Sequence, residues 1–152
     1  MKLKSLLMLL LIFFCLSAKI PSPFASTAIK WYSYDDGMAL SKQEGKKIFL
    51  HFYADWCTWC KKMDRDTFSD MTVGNYINKN FIPIKVNTGK KKNVALRYNV
   101  RGLPATLFLT EKGETIGYKP GYVPPANLII LLKYIYTDSY KKISLKKFLK
   151  TL

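Results

Sequence analysis

Two cysteines stand two residues apart, Cys57 and Cys60, in the run Trp56-Cys57-Thr58-Trp59-Cys60-Lys61. An apolar strand-like segment precedes them and a helix-like segment follows. Such a junction places Cys57 where a helix begins. There a thiol meets unpaired N–H donors and the positive end of the helix dipole, and both favour the thiolate. Cys57 is thereby the candidate nucleophile toward a substrate disulfide. Cys60, one turn on and set deeper, is the candidate resolving thiol, which breaks the mixed disulfide. The spacing also lets the two sulfurs oxidise to an internal disulfide, a redox couple that needs no added cofactor.

Other uses of the pair fit less well. A structural zinc site takes about four ligands, and beyond this pair the chain offers only Cys15 and one histidine, His51. A structural disulfide closing so short a loop constrains the unfolded chain little. Haem attachment needs histidine directly after the second cysteine, and Lys61 stands there.

The surrounding elements follow from pattern. Asp35 to Gly45 reads as a short helix. Ile48 to Tyr53 is a nearly continuous apolar run, the mark of a strand buried on both faces. A helix is expected from Cys57 to about Thr67, and another through Val73, Tyr76, Ile77 and Phe81. Ile82 to Val86 alternates as a strand, Asn93 to Tyr98 reads as a short helix, and Ala105 to Thr110 as a strand. Glu111-Lys112-Gly113 signals a turn before a return strand, Thr115 to Tyr118. Pro124 and Pro125 open a last helix through Leu128, Ile129, Leu132 and Ile135. Helices interleaved with strands, closed by a hairpin, predict an α/β fold with a central mixed sheet of four to five strands covered on both faces.

With 152 residues, 49% of them hydrophobic, the chain suits one cored domain. Lys2 and Lys4 precede eleven apolar residues, Leu6 to Leu16. That run is shorter than the roughly 20 a membrane-spanning helix needs, so it reads as a signal sequence, with a membrane anchor as the alternative if it stays uncleaved. Ser26 and Ala28 frame a small-x-small cleavage site. The expected organisation is a signal peptide at 1–28, a domain at 29–138 and a basic amphipathic tail at 139–152. Cleavage would remove Cys15 and three lysines but no acid, taking the net charge from +15 to +12. Export to a periplasmic or secreted location implies a disulfide-permissive compartment.

Phe52-Tyr53-Ala54-Asp55-Trp56-Cys57-x-x-Cys60-Lys61 resembles the active-site segment of the thioredoxin superfamily. It is most similar to the exported branch that includes the C-terminal domain of the thiol reductase DsbD, and Phe68-Ser69-Asp70 shares that likeness. Roughly forty-five residues later, Val100-Arg101-Gly102-Leu103-Pro104-Ala105-Thr106 resembles the family's cis-proline loop. The resemblance implies a thioredoxin fold and a protein-disulfide reductase or isomerase, with protein disulfides as substrates and an upstream membrane thiol donor. It implies that Pro104 lies beside the cysteines and that Leu103 offers main-chain groups to substrate. A dedicated reductant in cytochrome c maturation and a redox-inactive binding module are the alternatives on this fold.

One position departs from the family. Where it commonly carries a buried aspartate, six residues before the first cysteine, this chain has His51. Lys85 matches a lysine that lies near that aspartate. A buried His51 beside Lys85 would be neutral and able to accept the proton of Cys60. Trp56 and Trp59 would frame an apolar docking surface, and Trp56 is equally suited to packing. Thr58-Trp59 places no charge between the cysteines, which favours a reducing potential, about −270 mV, over about −120 mV. The tail sets Lys141, Lys142, Lys146, Lys147 and Lys150 around Ile143, Leu145, Phe148 and Leu149. It forms no nucleic-acid motif. It reads as a solvated terminal helix, with the charge for weak contact with an anionic membrane.

Overall fold

The computed structural model describes residues 28–152. The expected signal peptide lies almost wholly outside them. The first element, α1 (Tyr34–Glu44), is capped by Ser33, whose hydroxyl accepts from the Asp36 N–H, and ends at Gly45 with φ +62°. That left-handed cap costs glycine little. There follow β1 (Ile48–Tyr53), α2 (Thr58–Met63), a π-helical turn (Asp64–Phe68), α3 (Met71–Asn80), β2 (Ile82–Asn87) and α4 (Lys92–Arg97). Then come β3 (Ala105–Leu109), β4 (Thr115–Pro120) and α5 (Pro125–Tyr136). A 3-10 turn (Ser139–Lys141) and α6 (Leu145–Leu149) complete the chain.

The four strands lie in the order β2-β1-β3-β4. β2 runs parallel to β1, β3 antiparallel to β1, and β4 antiparallel to β3. The mixed sheet is the predicted one, with four strands.

β1 sits between β2 and β3, and every side chain from Ile48 to Phe52 is buried. The side chains alternate between two cores. Ile48, Leu50 and Phe52 join Tyr34, Val94 and Ala95 on one face. Phe49 joins Met63, Phe68, Ile77, Leu128 and Leu132 on the other. Period-two alternation assigns His51 to the Phe49 face, the one covered by the cysteine-bearing helix.

The C-terminal segment differs from the expected solvated helix. Tyr134 donates its hydroxyl to the Ile143 carbonyl at 2.7 Å, and Phe148 is buried with its ring 5.2 Å from that of Tyr134. The stretch doubles back onto α5 because its aromatic residue finds an apolar surface there.

Candidate active site

The backbone turns out of β1 through Ala54, whose carbonyl accepts from the Cys57 N–H at 3.1 Å. Cys57 is the N-cap of α2 in extended conformation, with φ −77° and ψ 104°. Its sulfur accepts from the Cys60 N–H at 3.1 Å. A donor that helices leave unpaired is thereby aimed at sulfur. The two sulfurs are joined at 2.07 Å, so the pair is in its oxidised form.

The sequence reading sets Cys60 deeper than Cys57, as a nucleophile open to substrate requires. The ordering holds but the exposure is small: 4% for Cys57 and 1% for Cys60. Ala54, Tyr53 and Leu103 close over them. The long helix expected through Thr67 is α-helical only to Met63 and then widens into a π turn. Such turns occur mostly as single insertions near functional sites.

The Leu103–Pro104 peptide bond is cis, as the resemblance implied, and Pro104 is buried. Its carbonyl accepts from the Gly121 N–H at 2.8 Å. Two residues on, the Val123 carbonyl accepts from the buried Thr67 hydroxyl at 2.7 Å. The segment 121–123 therefore ties the proline loop to the helix that carries the cysteines. Gly121 has φ +79°, a conformation that favours glycine. Among the described residues the Leu103 main chain makes no hydrogen bond, which leaves its N–H and carbonyl open to a ligand.

His51 is fully buried. Its Nδ1 lies 3.2 Å from the Thr106 hydroxyl, and Nε2 has no partner. Its ring sits edge-on to Phe68 at 4.8 Å, and Trp31 lies 6.2 Å away. Burial, and then the Lys85 ammonium, push its pKa down to about 3. Lys85 is its register partner on β2. The Lys85 Nζ reaches Asp64 Oδ1 at 2.6 Å and lies over the Tyr53 ring at 4.8 Å and the Trp31 ring at 5.4 Å.

Trp56 is 79% exposed and Trp59 58%, so Trp56 serves the surface and not packing. The Trp59 ring lies 6.0 Å from that of Tyr122, which also stacks beneath Lys62. Sequence reasoning missed Asp64, Gly121 and Tyr122, and it placed Thr106 in the proline motif without its contact to His51. Of the three missed, only Asp64 carried a local signal, being one helical turn beyond Cys60.

Among the described residues no group of three or more His, Cys, Asp or Glu side chains could hold a metal ion.

A family model described as a thioredoxin-like domain matches residues 34–136. The thiol:disulfide interchange protein DsbD of Salmonella typhi is 35% identical over 102 residues, covering 64% of this chain and 18% of that protein. The chain thus spans under a fifth of the length of the curated relatives it matches. A thioredoxin from Thermus thermophilus superposes with a TM-score of 0.65 at 26% identity, covering 71% of this chain and 87% of that one. The C-terminal domain of Neisseria meningitidis DsbD, in its reduced form, superposes with a TM-score of 0.57 at 21% identity, covering 65% and 90%.

Proposed function

The chain belongs to the thioredoxin-like domain family, and from that premise we propose that it is an extracytoplasmic thiol–disulfide oxidoreductase that reduces or isomerises protein disulfides. The observation that carries this reading is the Cys57–Cys60 pair. One sulfur caps the helix and receives a main-chain N–H, and the other is bonded to it one turn on.

In the dithiol form the Cys57 thiolate attacks one sulfur of a substrate disulfide. A mixed disulfide forms and the substrate's other sulfur leaves as a thiolate. Cys60 then loses its proton and attacks Cys57, releasing the second substrate thiolate and leaving the internal disulfide. Two electrons pass to the substrate. The dithiol is restored by a thiol donor, for which a membrane reductant upstream is the candidate.

Leu103 and Pro104 hold the substrate main chain, and Trp56 and Trp59 supply apolar contact. His51 is the proposed acceptor of the Cys60 proton, supported by its bare Nε2 on the sheet face that the cysteine helix covers. A pKa of about 3 is too low to hold that proton at rest. The neutral ring can therefore accept that proton but passes it on rather than keeping it. Lys85 supports the site by keeping the ring neutral.

The apolar run Leu6–Leu16, read as a signal sequence, supports a location outside the cytoplasm. No helix among the described residues is long and apolar enough to cross a membrane.

A redox titration of Cys57/Cys60 against a thiol–disulfide buffer, with an insulin-reduction assay, tests the proposal. A two-electron transition nearer about −270 mV than about −120 mV is expected. Cys57→Ser should abolish insulin reduction, and Cys60→Ser should accumulate the mixed disulfide. A pair that does not cycle, or a Cys57→Ser variant with full activity, rejects it.

A further inference from the structure

The loops around the cysteines carry a charge pattern that thiol exchange alone does not require. Three segments meet at this end of the sheet. The first is the cysteine loop, with Lys61 one residue beyond Cys60. The second follows β2: the Thr88 N–H donates to the Tyr53 carbonyl at 2.9 Å, and Asn87 donates to Asp55 at 3.0 Å. This fastens the segment Lys90-Lys91-Lys92 to the strand end that leads into Cys57. The third is the approach to Pro104, which carries Arg101. All five cations are exposed.

The carboxylates beside them are engaged elsewhere or by a single lysine. Asp35 pairs with Lys91 at 3.1 Å, and Asp55 is engaged by Asn87. Lys61, Lys90, Lys92 and Arg101 make no ion pair among the described residues. The cysteine segment itself carries the exposed rings of Trp56 and Trp59, and Leu103, whose main chain is open, packs against Cys57 and Cys60.

We propose that this rim receives an extended polypeptide whose disulfide is flanked by acidic residues. The inference rests on the thiol–disulfide reading above and names its substrate class. Unpaired cations on three neighbouring segments give this end of the sheet a positive potential, which a partner of opposite charge neutralises. Single exposed ion pairs contribute little. The summed field of a like-charged rim instead steers encounter, raising association rates about 10- to 1,000-fold at low ionic strength. Apolar contact with the tryptophans then holds the segment while Cys57 attacks.

The test uses the full mature chain in its reduced form and two synthetic peptides. Each carries one internal disulfide beside the same apolar residue, flanked by glutamates in one and by lysines in the other. Stopped-flow rates of exchange are measured at low and high salt. Uncharged hydroxyethyl disulfide, an acyclic and readily reduced disulfide, serves as a third substrate. The acidic peptide should react at least about tenfold faster than the basic one at low ionic strength, and the ratio should fall toward one as salt screens the rim. Replacing Lys90→Glu, Lys92→Glu and Arg101→Glu together should reverse the preference. A wild-type ratio near one, or a ratio indifferent to salt, overturns the rim inference, as does a preference that survives the triple substitution. Failure to exchange even with hydroxyethyl disulfide overturns the oxidoreductase reading instead, so the two failures are distinct.

Discussion

His51 is enclosed by aromatic rings and a lysine ammonium, and that enclosure has a measurable thermodynamic consequence. Its pKa falls from 6.5 to about 3, with burial the larger cause and Lys85 the second. Between those two values the unfolded chain binds a proton that the folded chain excludes. Folding stability is therefore full above pH 6.5 and is lost as pH falls toward 3. At pH 4.5 the loss comes to about 3 kcal/mol. His51→Asn removes the titration while keeping a polar partner for Thr106. Urea midpoints at pH 7.5 and 4.5 should show the wild type losing about 3 kcal/mol more than the variant. The same variant reports on chemistry, because an unaltered pH profile of turnover would reject His51 as the Cys60 proton acceptor. The residues of this site divide by how their roles are encoded. The positions of Cys57, Cys60, His51 and Pro104 could be singled out because each sits in a local motif or a fixed offset from one. The contact of Thr106 with His51 and the place of Gly121 could not. Thr106 meets His51 only because β3 pairs with β1, and Gly121 matters only where β4 ends beside Pro104.

At the scale of elements, the strands could be read because β1 is apolar throughout and β2 alternates between apolar and polar. β1 has the expected bounds, and those of α1 and β3 differ from the expected ones by one residue. The π turn at Asp64–Phe68 could not be read, since a one-residue widening leaves no periodic trace in five residues. Its cause is tertiary: Phe68 joins the aromatic core while Thr67 bonds to Val123 and Asp64 pairs with Lys85. Packing across elements is equally demanding at Gly37, on the buried side of α1. A Cβ there would lie 2.4 Å from Ile84 Cγ1 and 2.6 Å from its Cδ1, and Ile84 is itself fully buried. Gly37→Ala should gain about 1 kcal/mol in helix propensity and lose about 1–3 kcal/mol to overpacking. A lower urea midpoint is the expected result. A higher one would show that α1 moves off the sheet freely.

For the molecule as a whole, the basic C-terminal stretch poses the sharpest question of allegiance, to solvent or to the domain. Its lysines and apolar residues alternate as an amphipathic helix would, which is why composition alone assigned it to solvent. The fold instead anchors it at several points. Lys47, just before β1, pairs with Asp138 at 3.0 Å and donates to the Tyr136 carbonyl at 3.2 Å. Tyr134 holds Ile143, and the Phe148 ring lies against it. Turning Phe148 inward leaves Leu149, Leu152, Lys146, Lys147 and Lys150 facing outward, a smaller apolar surface for any membrane contact than the sequence implied. If the stretch is part of the domain, truncating its inward ring must cost far more than truncating an outward side chain. Phe148→Ala should therefore lose about 3 kcal/mol, the low end for a buried aromatic. Leu152→Ala, at a side chain 65% exposed, should stay within about 0.5 kcal/mol of wild type. Urea unfolding of the two variants side by side decides the matter, because equal, negligible losses would mean that α6 stands in solvent and caps nothing.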